Sequence, residues 1–476
     1  MKIEKDRKNG KAESRTGSRI SFFSQKIKTG ISDLGSIWLK SLNQYRENGR
    51  LKLASSIVAL SLASVLMAGL FSWLPVPAVL KLGVFSTSNW DVPQSETYRL
   101  IDGIIERFEK ENPGVAVEYT SGIIKQDYSG WLSDQIVEGE TPDVFLVLDE
   151  DFNMLASLGA LMDLDPFLRK EDLQTEELFF TNAALAGEYN GVSYALPVES
   201  NIDLMFVNLD ILNEAGISLP DRSWTLDDLT EICRQVTLDQ DQDGVVDQFG
   251  LAGYGWQEMM EACNVSLFDE AGSRALINTD EVWSALQRLS RLQPYCLESY
   301  PQASTGGFDA GNVAFAPMSY ADYKTYKPYP WKMKKYSNFD WAILSMPAIT
   351  SNARRSTLDS LLMGISSETS RPAEAWKLLK MFAFDEYSQS QIMELSAGIS
   401  PLRAISLSVQ NDGNFELFDE LLGWALERTQ PKLRFKKYED AMSLLDSGMK
   451  QAMSRDGDHD LILLDLQNQI SSFLRN

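Results

Sequence analysis

The chain has 476 residues and a formal net charge of −23, because 67 Asp and Glu residues outnumber 44 Lys and Arg residues. This acidic balance argues against nucleic-acid binding, since phosphates are bound by basic patches. The single histidine, His459, nearly excludes a Ser-His-Asp triad or a histidine-based metal site.

The charge is divided unevenly along the chain. Residues 1–52 carry 13 Lys/Arg and 5 Asp/Glu, a net of +8, so the remaining residues carry −31. No charged residue occurs in 53–80, and residues 53–74 are long enough to span a bilayer at ~1.5 Å per residue. The positive-inside rule predicts a cytoplasmic basic segment (1–52), a transmembrane anchor (53–80) and an extracytoplasmic acidic part. Cleavage of a signal peptide after Val76-Pro77-Ala78 is the alternative.

After the anchor, strand and helix patterns alternate. Apolar runs predict strands at 82–85 and 115–119, with an amphipathic helix at 97–112 between them. This order implies a parallel, right-handed βαβ unit. Ligands of open α/β sheets bind beyond the carboxyl ends of the strands, so Ser86 and Trp90 in the following loop are candidate contacts. Roughly 395 residues exceed one ordinary core, which predicts two lobes.

A third buried strand precedes three consecutive acids, Asp149, Glu150 and Asp151. Glu150 is a candidate acceptor for ligand hydroxyls. Charges that favour the N-terminus of a helix are the alternative interpretation of all three acids.

The stretch 189–208 connects two strand patterns in series. Asn190-Gly191 suits a type I′ turn, and alternation through Leu196 predicts a strand. Pro197 cannot donate to a sheet, so pairing should loosen there. A second apolar run occupies 202–207. We therefore predict that the chain passes between domains at 197–201.

These motifs, together with Leu209 to Ile217 and Ser223 to Leu229, resemble the family 1 extracellular solute-binding proteins. Members are the sugar-binding components of ABC importers and are similar to maltose-binding proteins. The resemblance covers roughly 81–476. It implies an α/β, two-lobed periplasmic-binding-protein-like fold with three hinge crossings, here preceded by the single transmembrane helix.

The resemblance also implies where the lobes divide. The expected crossings are 197–201, 345–347 and 400–402. Lobe 1 is then about 81–197 and 347–400, and lobe 2 about 201–344 and 403–476. The apolar run 53–74 lacks the lipobox cysteine of many Gram-positive relatives, so a retained helix would tether the protein to a Gram-positive cell membrane.

A sugar site needs aromatic faces for the ring and planar polar groups for the hydroxyls. Each candidate follows a strand or lies at a crossing, although core packing is the alternative for every aromatic. Val147 departs from the family pattern, where an aromatic often stacks on the sugar. The predicted ligand-binding residues are Ser86, Trp90, Glu150, Glu199, Asn201, Trp256, Tyr320 and Asp359.

An aspartate-rich loop has the spacing of a Ca²⁺ site, with carboxylates at positions 1, 3, 5 and 9 and Gly244 at position 6. Gly250 stands at position 12, so the bidentate glutamate of an EF-hand is missing. A structural Ca²⁺ would be the only cofactor, and an acidic surface turn is the alternative. The predicted ligands are Asp239, Asp241, Asp243 and Asp247.

The predicted function is that of a monomeric ectodomain which captures a carbohydrate and delivers it to ABC importer permease subunits, without catalysis. A peptide or polyamine binder and a ligand-sensing module remain alternatives. A glycoside hydrolase pairing Glu150 with Glu199 is a weaker one. The three cysteines, Cys233, Cys263 and Cys296, allow either one disulfide or buried free thiols.

Overall fold

The computed structural model describes residues 78–269, 271–300, 307–326, 339–407, 418–430, 432–453 and 459–475. The basic segment and the apolar run 53–74 therefore lie outside the described residues. Among the residues that are described, no helix has both the length and the apolar character needed to cross a membrane.

In the described part of the chain, a nine-stranded sheet extends through the molecule in the order β2-β1-β3-β10-β6-β8-β7, with β11 beside β10 and β9 beside β6. The predicted βαβ unit is confirmed, because β1 pairs in parallel with both β2 and β3. The strands are β1 Ala78–Gly83, β2 Val115–Tyr119, β3 Val144–Val147, β4 Glu188–Tyr189, β5 Val192–Ser193, β6 Ala195–Asn208, β7 Phe249–Leu251, β8 Val313–Ser319, β9 Trp341–Ser345, β10 Ser356–Ile365 and β11 Thr429–Gln430.

Helices cover both faces of this sheet. The first helix buries the predicted stripe of leucine, isoleucine and phenylalanine against the strands. The helices are α1 Thr97–Glu111, α2 Lys125–Glu138, α3 Asp149–Leu158, α4 Asp165–Lys170, α5 Thr175–Leu178, α6 Thr181–Ala186, α7 Leu209–Glu214, α8 Leu226–Val236, α9 Trp256–Ala262, α10 Asp280–Leu292, α11 Tyr320–Tyr326, α12 Pro372–Ala383, α13 Glu386–Leu395, α14 Arg403–Ser406, α15 Phe418–Leu426, α16 Tyr438–Met453 and α17 His459–Arg475.

The 14-residue strand β6 joins the two lobes. Its first part pairs with β10 up to Ile202, and its second part pairs with β8 and β9 from Asp203 onwards. The partners thus change between Ile202 and Asp203, just beyond the predicted 197–201. The loosening expected at Pro197 is present as a register shift that leaves Val198 without an opposite residue, which is a β-bulge.

The second passage lies later than the predicted 345–347. After β9, Ala348 still bridges Thr225 and Ile349 donates to Ala262, both in lobe 2. The chain reaches lobe 1 only within β10, where pairing with β6 begins at Leu358. A long strand can carry the chain between lobes while its backbone hydrogen bonds stay satisfied.

The third passage also differs from the expected 400–402. Leu402 forms a bridge with Phe179, and Phe180 donates its backbone N–H to Pro401, so this segment stays in lobe 1. The chain reaches the helices of lobe 2 after β11, through the segment that contains Lys432 and Arg434. We place the third passage in that segment.

The tight turn is present as predicted, and the structure decides the cysteine alternative that the sequence left open. Asn190 and Gly191 have φ values of 52° and 75°, as the type I′ turn between β4 and β5 requires. The three cysteines are free, with Cys233 and Cys296 buried in the lobe 2 core, and burial raises the pKa of the Cys233 thiol.

Candidate functional site

A row of polar side chains occupies one face of β6 where the lobes meet. Glu199, Asn201 and Asp203 alternate along the strand, so they share a face. Asp359 of β10 lies opposite Asn201. Asp203 is the exposed residue of an otherwise buried strand. A charged residue in an apolar strand was the available sequence signal for Asp203, which we did not predict.

Glu199 forms the lobe 1 end of this row and is held entirely by protein donors. Its Oε1 accepts the indole N–H of Trp90 at 2.7 Å and the hydroxyl of Ser396 at 2.9 Å. The backbone N–H of Gly398 donates to the same oxygen. Burial raises the pKa of Glu199, and these three donors act in the opposite direction. A side chain at Gly398 would collide with Glu199, which explains the glycine.

Trp90 is half-buried and lies in the loop after β1, as the sequence indicated. The bond to Glu199 restricts the orientation of its ring. The neighbouring Ser86 donates its hydroxyl to the carbonyl of Ile123 at 2.9 Å. This bond of Ser86 holds the loop in place. Trp90 can offer an apolar face at this end of the row.

Acidic groups surround Asp203 at the lobe 2 end. Partial desolvation by the surrounding protein, together with the nearby Glu261 and Asp359 carboxylates, raises the pKa of Asp203 to about 7. Burial also raises the pKa of Glu261 to about 7, although Thr357 donates to it at 2.7 Å. No hydrogen bond or ion pair to the Asp203 carboxylate occurs within the described ranges. This end of the row accordingly favours donors or cations.

A cation pair from the third passage reaches the same region. Asp149, at the start of α3, accepts bonds from Lys432 and from Arg434, the latter at 2.5 Å. Burial opposes ionisation, but the Arg434 and Lys432 cations hold the pKa of Asp149 below its usual value. Lys432 also lies 3.9 Å from Asp359. The two bonds to Asp149 join positions 283 and 285 residues apart, which sequence periodicity does not reveal.

A second link between the lobes runs from α11 to α13. Lys324 of α11 donates to the carbonyls of Met393 and Ser396, at 2.7 and 2.6 Å, where α13 ends. Cations are favoured at this end of a helix. Asn201 accepts the backbone N–H of Ala321 at 3.2 Å. These bonds hold lobe 2 against lobe 1 next to the bond between Trp90 and Glu199.

Two predicted aromatic contacts belong to the core instead. Trp256 and Tyr320 are each only 4% exposed. The indole N–H of Trp256 bonds Asp446 at 3.0 Å, and the ring of Tyr320 lies 5.7 Å from that of Tyr323. Neither ring can offer a face to a ligand in this arrangement. Both rings therefore pack as the core-packing alternative describes.

The remaining predicted residues occupy different settings. Glu150 is exposed at the N-terminus of α3 and lies near enough to raise the pKa of Asp359. Partial desolvation by the surrounding protein is the main cause of that raised pKa, which Lys432 partly offsets. Asn201 and Asp359 face each other across β6 and β10. The structure thus brings Trp90, Glu199, Asn201 and Asp359 to one region, next to Asp149 and Asp203.

The aspartate-rich loop lies apart from this row. Carboxylate oxygens of Asp239, Asp241 and Asp247 lie within 4.8 Å of one another. Asp243, the fourth predicted ligand, is not part of this group, and its carboxylate accepts the backbone N–H of Val245 at 2.8 Å. Gly244 has a φ of 92°, consistent with the sharp turn at position 6.

Residues 93–389 match the sequence model of one family, the bacterial extracellular solute-binding proteins. The chain belongs to this family. That finding confirms the resemblance drawn from the hinge motifs. It also confirms the prediction of a binding protein rather than an enzyme, because the family consists of solute-binding proteins.

Solved structures with the same fold include three sugar-binding proteins. The ABC substrate-binding protein Lmo0181 of Listeria monocytogenes, in complex with cycloalternan, is 18% identical, with a TM-score of 0.64 over 84% of this chain and 99% of that one. MalE of Xanthomonas citri is 14% identical, with a TM-score of 0.67 over 84% and 98%. The cyclic alpha-maltosyl-1,6-maltose binding protein of Arthrobacter globiformis is 14% identical, with a TM-score of 0.67 over 84% and 100%. At these identities the likeness establishes the two-lobed α/β fold of this solute-binding protein.

Proposed function

We propose that this solute-binding protein captures a carbohydrate between its lobes and delivers it to the permease subunits of an ABC importer. The single observation that carries the proposal is the row Glu199, Asn201, Asp203 and Asp359 where the lobes meet, with Trp90 at one end. Planar carboxylate and amide groups bind sugar hydroxyls, and an indole face suits the apolar side of a ring. The carbohydrates bound by the structural relatives support the same class.

Calorimetry on the full chain in detergent, against a panel of neutral oligosaccharides, tests this proposal. At least one oligosaccharide should bind and should be recovered unchanged by chromatography. Two variants of one position separate the roles of Trp90. Trp90→Phe retains a ring but loses the bond to Glu199, and Trp90→Ala loses both, so the second should weaken sugar binding by about tenfold more. Heat with spermidine or peptides but with no sugar would contradict the proposal.

Ligand contacts on both lobes should favour a closed form through their differential binding energy. The two links described above, from Lys324 to α13 and from Asp149 to Lys432 and Arg434, are the contacts expected to change on opening. Small-angle scattering with and without ligand should show a smaller radius of gyration at saturation. Interlobe distances from paired labels distinguish a protein that does not close from one already closed.

A cationic ligand such as a polyamine is the second candidate. The observation that favours it is the group of carboxyls around Asp203, which includes Glu261 and Asp359. A polyamine would neutralise them, and its binding should weaken steeply with added salt. Asp203→Asn should then reduce spermidine binding strongly while leaving the binding of neutral sugars within a few fold.

We also propose that residues 53–74 retain the protein on the outer side of a Gram-positive cell membrane, with residues 1–52 in the cytoplasm. The proposal is supported by the uncharged run and by the +8 net charge before it. Membrane fractionation should find the full chain in the membrane pellet. A released protein with its N-terminus at Val79 would demonstrate cleavage instead.

A structural Ca²⁺ in the aspartate-rich loop is a further proposal, supported by the convergence of Asp239, Asp241 and Asp247. Hard oxygen ligands of this kind suit Ca²⁺. Added Ca²⁺ should raise the melting temperature of the chelator-treated protein, and Asp239→Asn should abolish that increase. Melting temperatures that are equal in EDTA and in excess Ca²⁺ would identify a bare surface turn.

A further inference from the structure

A cavity of about 60 Å³ lies in lobe 1, between the sheet and the N-terminal turn of α1. Glu199 forms part of its wall, so the cavity adjoins the Trp90–Glu199 contact. The bulge at Val198 explains how two successive residues of β6, Val198 and Glu199, both line it. Most of the remaining wall is apolar and includes Leu100, Ile101, Leu146, Met363, Phe382 and Ile392, and the polar residues Thr87, Asn89 and Gln94 also line it.

Thr97 provides a polar group in this apolar wall. It is 8% exposed, and its hydroxyl has no hydrogen-bond partner among the residues that the structure describes. Thr97 is the first residue of α1, and the side chain at the preceding Glu96 makes no capping bond. A buried hydroxyl without a partner is unfavourable by about 1–3 kcal/mol. A ligand atom that accepts or donates a hydrogen bond here would relieve that cost.

Glu199 supplies a carboxylate to the same cavity. All three of its hydrogen bonds converge on Oε1. A carboxylate has about four acceptor positions across its two oxygens. The Glu199 carboxylate can therefore accept a further bond from a ligand N–H while keeping its bonds to Trp90, Ser396 and Gly398.

The size of the cavity limits what can enter. One water requires about 10–15 Å³ of such volume, so the cavity has room for about four to six water-sized groups. A lone hydroxyl would leave most of the apolar wall without contacts, and the lost dispersion is unfavourable. An acetamido group matches better, since its nitrogen, carbonyl carbon, oxygen and methyl carbon together have about this extent.

We propose that the carbohydrate is an N-acetylated amino sugar whose acetamido group enters this cavity. The inference rests on the proposed carbohydrate-binding function. The acetamido methyl contacts Leu100, Phe382 and Ile392, the carbonyl oxygen accepts from Thr97, and the amide N–H donates to Glu199. The acetamido group alone thus defines the class of ligand, and the ring hydroxyls would bind separately along β6.

Three disaccharides with the same β-1,4 linkage differ only at the relevant substituent. N,N′-diacetylchitobiose carries acetamido groups, chitobiose carries ammonium groups, and cellobiose carries hydroxyls. Calorimetry with the full chain in detergent should show that diacetylchitobiose binds at least about tenfold more tightly than cellobiose, because the buried hydrogen bonds and the methyl contacts are both lost in cellobiose.

Thr97→Val tests the hydroxyl with little change in volume. It should weaken diacetylchitobiose binding about fivefold and leave cellobiose binding unchanged, since a net hydrogen bond contributes about 1 kcal/mol. In the free protein the same variant should raise the melting temperature, because it removes the unpartnered hydroxyl. Thr230→Val is the matched control: that hydroxyl donates to Leu226 within α8, so neither affinity should change. Ile392→Phe should fill the cavity and reduce selectivity for the acetylated sugar.

Each outcome decides between the two proposals. Binding of cellobiose and diacetylchitobiose with equal affinity, unaffected by Thr97→Val, would overturn the acetamido assignment and leave the carbohydrate function intact. Tightest binding of chitobiose would also overturn it, in favour of the cationic ligand. If neither these disaccharides nor any oligosaccharide of the wider panel binds, the proposed function itself is overturned.

Discussion

The two ends of the polar row on β6 differ in how their charges are satisfied. At the lobe 1 end, Glu199 accepts three hydrogen bonds from protein donors. At the lobe 2 end, Asp203 lies among other carboxyls, and its pKa is raised to about 7. The first arrangement is preorganised and stabilises the fold. The second is unfavourable in the free protein, which is expected where a site is kept for binding rather than for stability.

The largest expected effect comes from removing the Glu199 acceptor. Glu199→Ala leaves the donors at Trp90, Ser396 and Gly398 without their partner, so the free energy of unfolding should fall by about 3 kcal/mol or more. Urea denaturation measures this change. Glu199→Gln is the control, because it keeps an acceptor oxygen and should lose clearly less. Equal losses in the two variants would show that the hydrogen bonds are not the cause.

The next effect concerns the cation pair that faces the acidic end. Arg434→Met should lower the free energy of unfolding by about 1–2 kcal/mol, since Asp149 keeps only Lys432 as a charged partner. Scattering should show a larger radius of gyration if this pair holds the lobes together.

An exposed pair provides the control for Arg434. Arg169, whose side chain is 70% exposed beside Asp165, should change stability by no more than about 0.5 kcal/mol when replaced by alanine. If Arg434→Met changes the free energy of unfolding as little as Arg169→Ala does, the contacts of Asp149 are not a buried link between the lobes.

A pH dependence should distinguish the two ends further. Between the usual aspartate pKa of 3.8 and the raised value of about 7, folded Asp203 binds a proton that the unfolded chain has lost. Stability should therefore fall as pH rises through this window. Asp203→Asn should reduce that fall, raising the melting temperature above pH 7 and leaving it unchanged below pH 4.

Because the Asp203 side chain reaches solvent, screening reduces the size of this pH effect without changing its direction. Asp134→Asn, an exposed change on α2, is the control and should leave the slope of stability against pH unaltered. If Asp203→Asn leaves the slope of stability against pH unchanged, the pH dependence arises from Glu261 or from another group.

The smallest effect is expected at Trp256, which the sequence predicted as a ligand contact and whose ring is buried in the lobe 2 core. Trp256→Phe loses the bond to Asp446 and should lower the free energy of unfolding by about 1 kcal/mol. Ligand affinity should remain within about twofold of the original. A tenfold loss of affinity with unchanged stability would return Trp256 to the list of ligand contacts.

The sequence by itself determined the features that depend on near neighbours along the chain. Asn190 and Gly191 adopt the positive φ values of their turn, the stripe on α1 is buried, and the order of hinge motifs identified the family. Such features follow from backbone sterics and from periodicities of 3.6 and 2 residues. Glu199 and Asn201 were predicted for the same reason, since both lie on the strand that joins the lobes.

Only the tertiary structure decided which of the candidate residues lie together where the lobes meet. Trp90 and Trp256 are equally aromatic, yet one borders the row on β6 and the other bonds Asp446 within a core. Asp149 meets Lys432 from the far end of the chain, because the third passage returns the chain to the junction of the lobes. Burial and charge pairing depend on contacts between distant segments, and neither composition nor spacing encodes which segments those are.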